Sequence, residues 1–409
     1  MSGPAAALSG RRGTWHALRA DASTSAVVAG FLAVLVSNAG PLLVFLQSAR
    51  AMGVSEAAFS GWVAAISAAA GAASIALSLA LRMPILIAWS APGVVLLGIV
   101  GPGMAFSDVV GAYLVSAAVI LVVGLSGLVE RLLVLIPPSV AAGMMAGILF
   151  AYGAQALRGL AAAPLLVAGM LALFVVLSAA APRLALIWLL VAALACAGLT
   201  AAPGGGVPRP WPRLEATWPT FDASALLGLA LPLAVTTLTG QFLAGLAILK
   251  ANGFAPPARP ILALSALVSI PAAIFGGITT ALASITMALG AGEGAHPDPA
   301  RRYVAGVASG GFFLLCALFA GAIGWAMLRI PPELIALLAG LALLPAIGAG
   351  LGTVLAAGDD LQAGMLTFVA TASGLVLWDV GSAFWGLAIG VCAVHLSRAV
   401  RRHARRSAL

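Results

Sequence analysis

The residues of this chain best suited to chemistry are neutral hydrogen-bonding side chains set in long apolar stretches. Gln241 follows three threonines in such a stretch, and a buried primary amide is costly unless it has a partner. Threonine hydroxyls often bond back to their own helix, which leaves Gln241 as the best single candidate for contacting a ligand. Because an amide both donates and accepts hydrogen bonds, it suits recognition of a polar or anionic group.

Two short stretches hold a second set of polar groups. Ser90-Ala91-Pro92-Gly93 follows the apolar run 84–89, and Thr279-Thr280 precedes a stretch that contains Ser284. Serine is a good N-cap, and proline fits a first helical turn because its missing N–H needs no partner there. The prediction for each stretch is an extended strand followed by a half-helix. Two short kinked helices that merely pack are the alternative.

Half-helix N-termini carry partial positive charge and free N–H groups, so two that converge could bind an anion without a fixed cation. Ser37-Asn38, beside Gly40-Pro41, is the predicted first-half counterpart of Gln241. The aromatic residues near these groups could hold a ring or serve only as packing. The predicted ligand-contacting residues are Asn38, Trp89, Ser90, Ala91, Thr237, Gln241, Phe242, Thr279, Thr280 and Ser284.

Titratable residues are scarce within the apolar stretches. Asp379 lies between two short segments and is predicted to be a turn residue or a shallowly buried proton carrier. If the chain moves an acid across a membrane together with a proton, the proton could instead travel with that acid or through water. The chain lacks a nucleophile–base pair, a metal-ligand set and an intramembrane acid pair. We therefore expect no enzyme activity, no metal and no other cofactor.

Composition places these residues in a membrane. Of 409 residues, 62% are apolar and 8% are charged, against roughly 25% charged in soluble domains. Apolar runs recur along the chain, and a membrane-spanning helix needs about 20 such residues. The net charge of +8 comes without the aromatic and basic groove of a nucleic-acid-binding protein. An all-α polytopic protein in contact with the lipid bilayer, and not with nucleic acid, is predicted.

Charges, prolines and glycines divide the chain into about fourteen segments, in two sets of seven. A linker rich in proline and glycine, 202–223, separates a first unit, 25–201, from a second, 224–397, and tails 1–24 and 398–409 complete the chain. The predicted segments are 26–48, 57–81, 85–100, 109–130, 139–157, 163–181, 184–201, 224–249, 260–276, 278–291, 303–327, 333–356, 363–377 and 380–397. The strand–half-helix breaks fall in segments 3 and 10.

Basic residues orient these segments. With both termini in the cytoplasm, fifteen of the 20 basic residues fall inside and five outside, as the positive-inside rule requires. Arg50-Ala-Met-Gly53 and its echo Lys250-Ala-Asn-Gly253 then lie on opposite faces. Because seven is odd, the two units are predicted to be inverted repeats with the site where they meet. A count of twelve segments also keeps both termini inside.

Six blocks of the chain are specific enough to compare with known families: 88–93 (AWSAPG), Gln241 with Gly245, 293–302, 339–344, 371–375 and 381–387. At these blocks the chain resembles the benzoate:proton symporter family of bacterial inner-membrane proteins. The resemblance runs over roughly 25–397.

The resemblance implies uptake of benzoate or a similar aromatic carboxylate together with a proton. It also implies the seven-plus-seven fold of nucleobase and anion transporters, in which a core domain (segments 1–4 and 8–11) moves against a gate domain (5–7 and 12–14). Nucleobase carriers commonly place carboxylates at the site, whereas Gln241, Thr279 and Thr280 are neutral, which fits an anionic substrate. An anion channel, or a carrier for another small organic or inorganic anion, is the alternative. The sequence does not decide the oligomeric state, a homodimer being one option.

Overall fold

The computed structural model describes residues 17–127, 136–182, 184–200, 210–378 and 380–407. Residues 201–209, nearly all of them in the predicted linker, lie outside the described residues, as do most of the N-terminal tail and the last two residues. Asp379, predicted as a turn residue or a shallowly buried proton carrier, also lies outside them.

Helices make up most of the first half. In chain order its elements are α1 (Thr24–Ala39), α2 (Pro41–Ala51), α3 (Glu56–Leu81), strand β1 (Ile87–Trp89), α4 (Ala91–Val100), α5 (Phe106–Ser126), α6 (Pro138–Gly153), α7 (Pro164–Ala180) and α8 (Ala185–Thr200). The 3₁₀ turn Ala154–Arg158 and the helical turn Gly159–Ala162 extend α6.

The second half repeats this order of elements. Its members are α9 (Ala223–Ala251), α10 (Ala258–Ile274), strand β2 (Thr280–Leu282), α11 (Ser284–Ala291), α12 (Tyr303–Leu318), α13 (Ala320–Leu328), α14 (Pro332–Leu355), α15 (Leu361–Ala372) and α16 (Ser382–Ser407). Helix α9 includes two π-helical stretches, Leu226–Ala230 and Thr237–Leu243. The 3₁₀ turns Pro299–Arg301 and Gly358–Asp360 lie in loops.

Apolar helices of membrane length dominate both halves. Within the described residues, seven helices are long and apolar enough to span a bilayer, or eight if α12 and α13, which bend by 71°, form one broken span. The predicted all-α polytopic fold is confirmed. The count of fourteen segments stays a prediction, because several of the predicted segments are short helices or strand–helix pairs.

The two predicted breaks are present, each as a three-residue strand followed by a short helix. Strands β1 and β2 pair antiparallel, with Ala88 opposite Ala281 at the centre of the register. One further hydrogen bond at each end extends the ladder, from Ser90 N to Thr279 O (2.9 Å) and from Ala283 N to Leu86 O (2.9 Å). Antiparallel pairing sends the half-helices α4 and α11 away from each other, as inverted repeats require.

Serines on the neighbouring helices satisfy the outer edges of this two-stranded sheet. The Ser74 hydroxyl of α3 accepts from Ile87 N (2.9 Å) and donates to Ile87 O (3.3 Å). Ser78, one turn later, does the same for Ile85. On the other side, Ser269 of α10 accepts from Thr280 N (2.9 Å). These hydroxyls replace the missing outer strands, because an unpaired backbone group in an apolar interior is costly.

The second part of the predicted linker is an extended strap laid across helix ends. Three of its backbone N–H groups donate to neighbouring helices. They are Arg213 N to Ser60 Oγ of α3 (3.3 Å), Thr217 N to Ile274 O of α10 (2.8 Å) and Thr220 N to Ser107 O at the start of α5 (3.0 Å). Gly111 allows the strap to cross α5, since a Cβ there would lie 1.9 Å from Thr220 O. The strap ends where Asp222 caps α9. These contacts tie the linker to helices of both halves.

We expect Ser74→Ala to lower the free energy of unfolding by about 1–3 kcal/mol, because both backbone groups of Ile87 lose their partner while staying buried. Ser67 is the matched control: it lies on the same helix, equally buried, but its hydroxyl has no hydrogen-bond partner. Ser67→Ala should therefore be neutral. Denaturant titration in detergent micelles measures both, and equal losses for the two variants would contradict the edge role of Ser74.

Candidate ligand site between the two half-helices

The N-terminal ends of α4 and α11 meet at a cavity of about 50 Å³. Residues from both breaks and from α1, α2, α8, α9 and α14 enclose it. The lining residues are Val36, Ser37, Pro41, Ala88, Trp89, Ala91, Leu186, Gln241, Ala283, Ser284, Thr286 and Ala342. None of these side chains is ionisable, so the cavity combines apolar walls with neutral hydrogen-bonding groups.

Gln241 caps the N-terminus of α11. Its amide oxygen Oε1 accepts hydrogen bonds from the Ser284 hydroxyl (2.9 Å) and from Ser284 N (3.4 Å). The residue at the N-cap position itself is Ala283, which has no side chain that could accept. Gln241 reaches this point from the π-helical stretch of α9 and is 5% exposed. Its oxygen therefore occupies the place where an anion would meet the half-helix.

Ser90 caps the other half-helix. Its hydroxyl accepts from Gly93 N (3.3 Å), as the sequence predicted for an N-cap, and bonds to the Thr237 hydroxyl (2.8 Å). Both residues are fully buried, and neither lines the cavity. The hydrogen bond between these two hydroxyls joins α4 to α9.

Trp89 lines the cavity and is 3% exposed. Its ring packs edge-on against Phe313, with centroids 5.5 Å apart and planes at 68°. Its indole Nε1 has no hydrogen-bond partner, although a buried indole N–H usually finds one. Trp89 is thus a candidate hydrogen-bond donor as well as an aromatic wall.

Four of the ten predicted residues line the cavity: Trp89, Ala91, Gln241 and Ser284. The other six predicted residues lie outside its lining. Phe242 is packed in the apolar core. Thr280 bonds to Ser269 Oγ (3.0 Å) and Ser265 O (3.0 Å), so its hydroxyl serves the strand edge.

Asn38 and Thr279 have unsatisfied groups outside the cavity lining. Asn38 Nδ2 donates to Val34 O (2.8 Å) and contacts Cys316 Sγ (3.8 Å), and its Oδ1 has no partner. The Thr279 hydroxyl is also buried without a partner. Ser37, which precedes Asn38, lines the cavity together with Val36 and Pro41 from the α1–α2 break.

Sequence reasoning missed the wall opposite the half-helices. Leu186 of α8 and Ala342 of α14 form part of it, and both lie close to Gly40, where a Cβ would be 2.8 Å from the Ala342 methyl group. Ordinary apolar residues in apolar helices carry no signal of such a role. The break at Gly40-Pro41 pointed to Ser37, which lines the cavity, and is the one feature from which the nearby Val36 could have been inferred.

A larger apolar cavity of about 420 Å³ adjoins this site. It lies between α1, the turn that joins α7 to α8, and α11, and it shares Val36 with the smaller cavity. Its lining residues are Leu32, Val36, Ala181, Pro182, Leu184 and Leu289. We refer to the two cavities, which share Val36 as a lining residue, as the apolar cleft; the half-helix N-termini lie at the smaller one.

A polytopic helical fold with two paired strand–half-helix breaks around a neutral cavity is typical of secondary transporters. Residues 20–396 match the sequence profile of the benzoate membrane transport protein family (BenE), and the chain belongs to that family. It is 41% identical over 382 residues to the benzoate membrane transport protein of Acinetobacter baylyi, covering 92% of this chain and 96% of the relative. It is 37% identical over 377 residues to the inner membrane protein YdcO of Escherichia coli, covering 91% and 95%. The protein is therefore a transporter and not an enzyme.

Solved structures share the fold at low sequence identity. The transmembrane domain of the cyanobacterial bicarbonate transporter BicA superposes with a TM-score of 0.55 at 16% identity, covering 90% of this chain and 97% of that one. The structure of SLC26A9 gives a TM-score of 0.57 at 13% identity, covering 88% of this chain and 65% of that one. These similarities establish the architecture alone.

The hydrogen bond between Ser90 and Thr237 predicts energetic coupling between α4 and α9. Ser90→Ala should cost about 0.5–2 kcal/mol through loss of the cap, and Thr237→Val should cost about 1–3 kcal/mol because the Ser90 hydroxyl stays buried without this partner. The double variant should be less destabilised than the sum, by about 0.5–1.5 kcal/mol. Denaturant titration of the four proteins measures this coupling, and strictly additive losses would show that the contact contributes nothing.

Proposed function

We propose that the protein imports benzoate or a closely related aromatic carboxylate, with a proton, across the bacterial inner membrane. The observation that carries this proposal is the pair of half-helix N-termini facing a cavity with neutral donors and apolar walls. The curated relatives, one named for benzoate transport and one for the inner membrane, support the substrate and the location.

The carboxylate would bind at the polar end of the cleft. A carboxylic acid with a pKa near 4 is anionic at neutral pH, and free N–H groups at a helix N-terminus favour an anion. Since Gln241 Oε1 holds that place on α11, the carboxylate would replace it and the amide would turn to donate from Nε2. Trp89 Nε1, which has no partner, would supply a further donor.

The ring would lie against the apolar wall formed by Val36, Leu186 and Ala342. A volume of about 50 Å³ holds only a few waters at about 10–15 Å³ each. A benzene ring therefore enters only when α8 and α14 move away from the half-helices. Apolar walls of this kind favour an aromatic acid over a small hydrated anion, which would lose its water without compensation.

The transport movement would separate the predicted core, segments 1–4 and 8–11, from the predicted gate, segments 5–7 and 12–14. Supporting this division, the half-helices and Gln241 belong to the first group, and Leu186 and Ala342 belong to the second. The apolar cleft beside the turn at 181–184, on the predicted cytoplasmic side, would be the path by which the ligand leaves.

Proton coupling would not use a fixed carboxylate in the cavity, because no lining residue is ionisable. The proton would travel with the acid, through water, or through Asp379. A neutral site suits release to the cytoplasm, since no permanent cation holds the anion there.

The test is uptake of labelled benzoate into liposomes that contain the purified full-length protein. With an inward proton gradient we expect saturable accumulation above the equilibrium level, abolished when a protonophore collapses the gradient. Flux that rises linearly with concentration and ignores the gradient would indicate a channel. Lack of any benzoate flux, with lipid vesicles as the blank, would overturn the proposal.

For Gln241→Leu we expect an affinity loss of about 10- to 100-fold, corresponding to about 1.5–3 kcal/mol for hydrogen bonds to a charged group. Thr239→Val is the matched control in the same π-helical stretch, because the Thr239 hydroxyl bonds to Val235 O (2.7 Å) within its own helix. Ser90→Ala should weaken binding less than Gln241→Leu, since the backbone N–H groups remain. Benzoate titration of the purified variants, monitored by thermal shift, measures the affinities. Wild-type affinity in Gln241→Leu would remove this residue from the site.

A further inference from the structure

Arg302 is a buried cation behind the half-helix α11. It belongs to the loop between α11 and α12 and is 4% exposed. Its guanidinium donates to three backbone carbonyls, those of Ala291 (Nη1, 2.8 Å), His296 (Nε, 2.7 Å) and Pro297 (Nη2, 3.3 Å). The side chain is therefore held in one position by its own loop.

No carboxylate among the described residues lies within 4.0 Å of this guanidinium. The adjacent Arg301 is different: it is 47% exposed and lies near Asp21 (3.6 Å) and Asp298 (3.7 Å). A buried charge without a counter-ion is costly. Within salt-bridge distance, the guanidinium of Arg302 therefore meets carbonyl oxygens rather than a carboxylate, and its charge acts on the neighbouring helix α11.

One of those carbonyls connects Arg302 to the ligand site. Ala291 is the last residue of α11, and Ser284, at the other end of the same helix, lines the cavity. The C-terminal carbonyls form the negative end of the helix dipole, which opposes the positive N-terminus. A cation bound there cancels the negative end and leaves the N-terminus more favourable to an anion. The other half-helix, α4, ends with a hydrogen bond from Gly101 N to Leu97 O (2.8 Å), and no basic side chain of the described residues donates to its last carbonyls.

We propose that Arg302 is a positioning residue whose charge, acting through α11, raises the affinity of the site for an anionic ligand. This inference rests on the proposed function and adds the origin of the preference for an anion. The eight residues of α11 span about 12 Å. A unit charge at that distance changes anion affinity by about tenfold at an effective dielectric constant of about 20.

The test compares KM and maximal rate of benzoate uptake for Arg302→Gln, Arg302→Lys and Arg301→Gln in the full-length protein. We expect Arg302→Gln to raise KM by about tenfold with a maximal rate within about twofold of the unaltered protein. Arg302→Lys keeps the charge and should restore KM to within about threefold. Arg301→Gln, the matched control, should leave KM unchanged. A purely structural role would instead lower the maximal rate and thermal stability, without rescue by lysine.

If Arg302→Gln does not fold, a second pair of variants tests whether the charge of Arg302 affects KM. Gly294 lies in the loop that binds Arg302, and a Cβ there would meet nothing within 4 Å. Gly294→Asp adds a counter-charge in that loop and should raise KM several-fold, whereas the neutral Gly294→Asn should not. Unchanged KM in Arg302→Gln, equal losses in Arg302→Gln and Arg302→Lys, or equal KM for the two Gly294 variants would overturn the role of Arg302. Absence of saturable uptake by the unaltered protein would overturn the proposed function itself.

Discussion

A backbone polar group in an apolar interior must find a partner, and the centre of this protein is arranged around that constraint. Two three-residue strands break the helices at matched points of the two halves. Each strand satisfies one edge by pairing with the other. Hydroxyls of α3 and α10 satisfy the outer edge, Ser74 for Ile87 and Ser269 for Thr280. These serines lower the cost of the breaks in a membrane, and the breaks bring the N-termini of α4 and α11 to the cavity.

The same constraint explains the polar residues of the site. Each half-helix exposes N–H groups at its start, and each finds an oxygen: Ser90 for α4 and Gln241 for α11. The two caps are not equivalent, because Ser90 is locked against Thr237 whereas Gln241 is a long side chain from another helix. An incoming carboxylate can replace the second cap without leaving a donor unpaired. The asymmetry therefore favours α11 over α4 for the ligand exchange that we propose.

Much of the architecture could be predicted from the sequence, because proline, glycine and serine at 90–93 and 276–284 mark the ends of short elements. Gln241 was also predictable, since a primary amide in an apolar helix needs a partner. The sequence did not reveal which residues supply those partners. Ser74 and Ser269 look like ordinary helical serines until the strands are placed beside them. Leu186 and Ala342 face the cavity only because α8 and α14 pack there, and the N-cap of α11 is Ala283 rather than a polar residue.

The position of the Arg302 charge, outside the neutral cavity, also has a physical reason. A cation inside the cavity would hold an anion tightly, and a carrier must also release its ligand. A cation at the far end of α11 attracts the anionic ligand through the helix, over about 12 Å of protein. This attraction is moderate and needs no direct contact between the cation and the ligand. In the function proposed here, the ligand leaves by breaking hydrogen bonds that Gln241 reforms with Ser284. Attraction and release would thus be divided between Arg302, which stays fixed, and Gln241, which would exchange with the ligand.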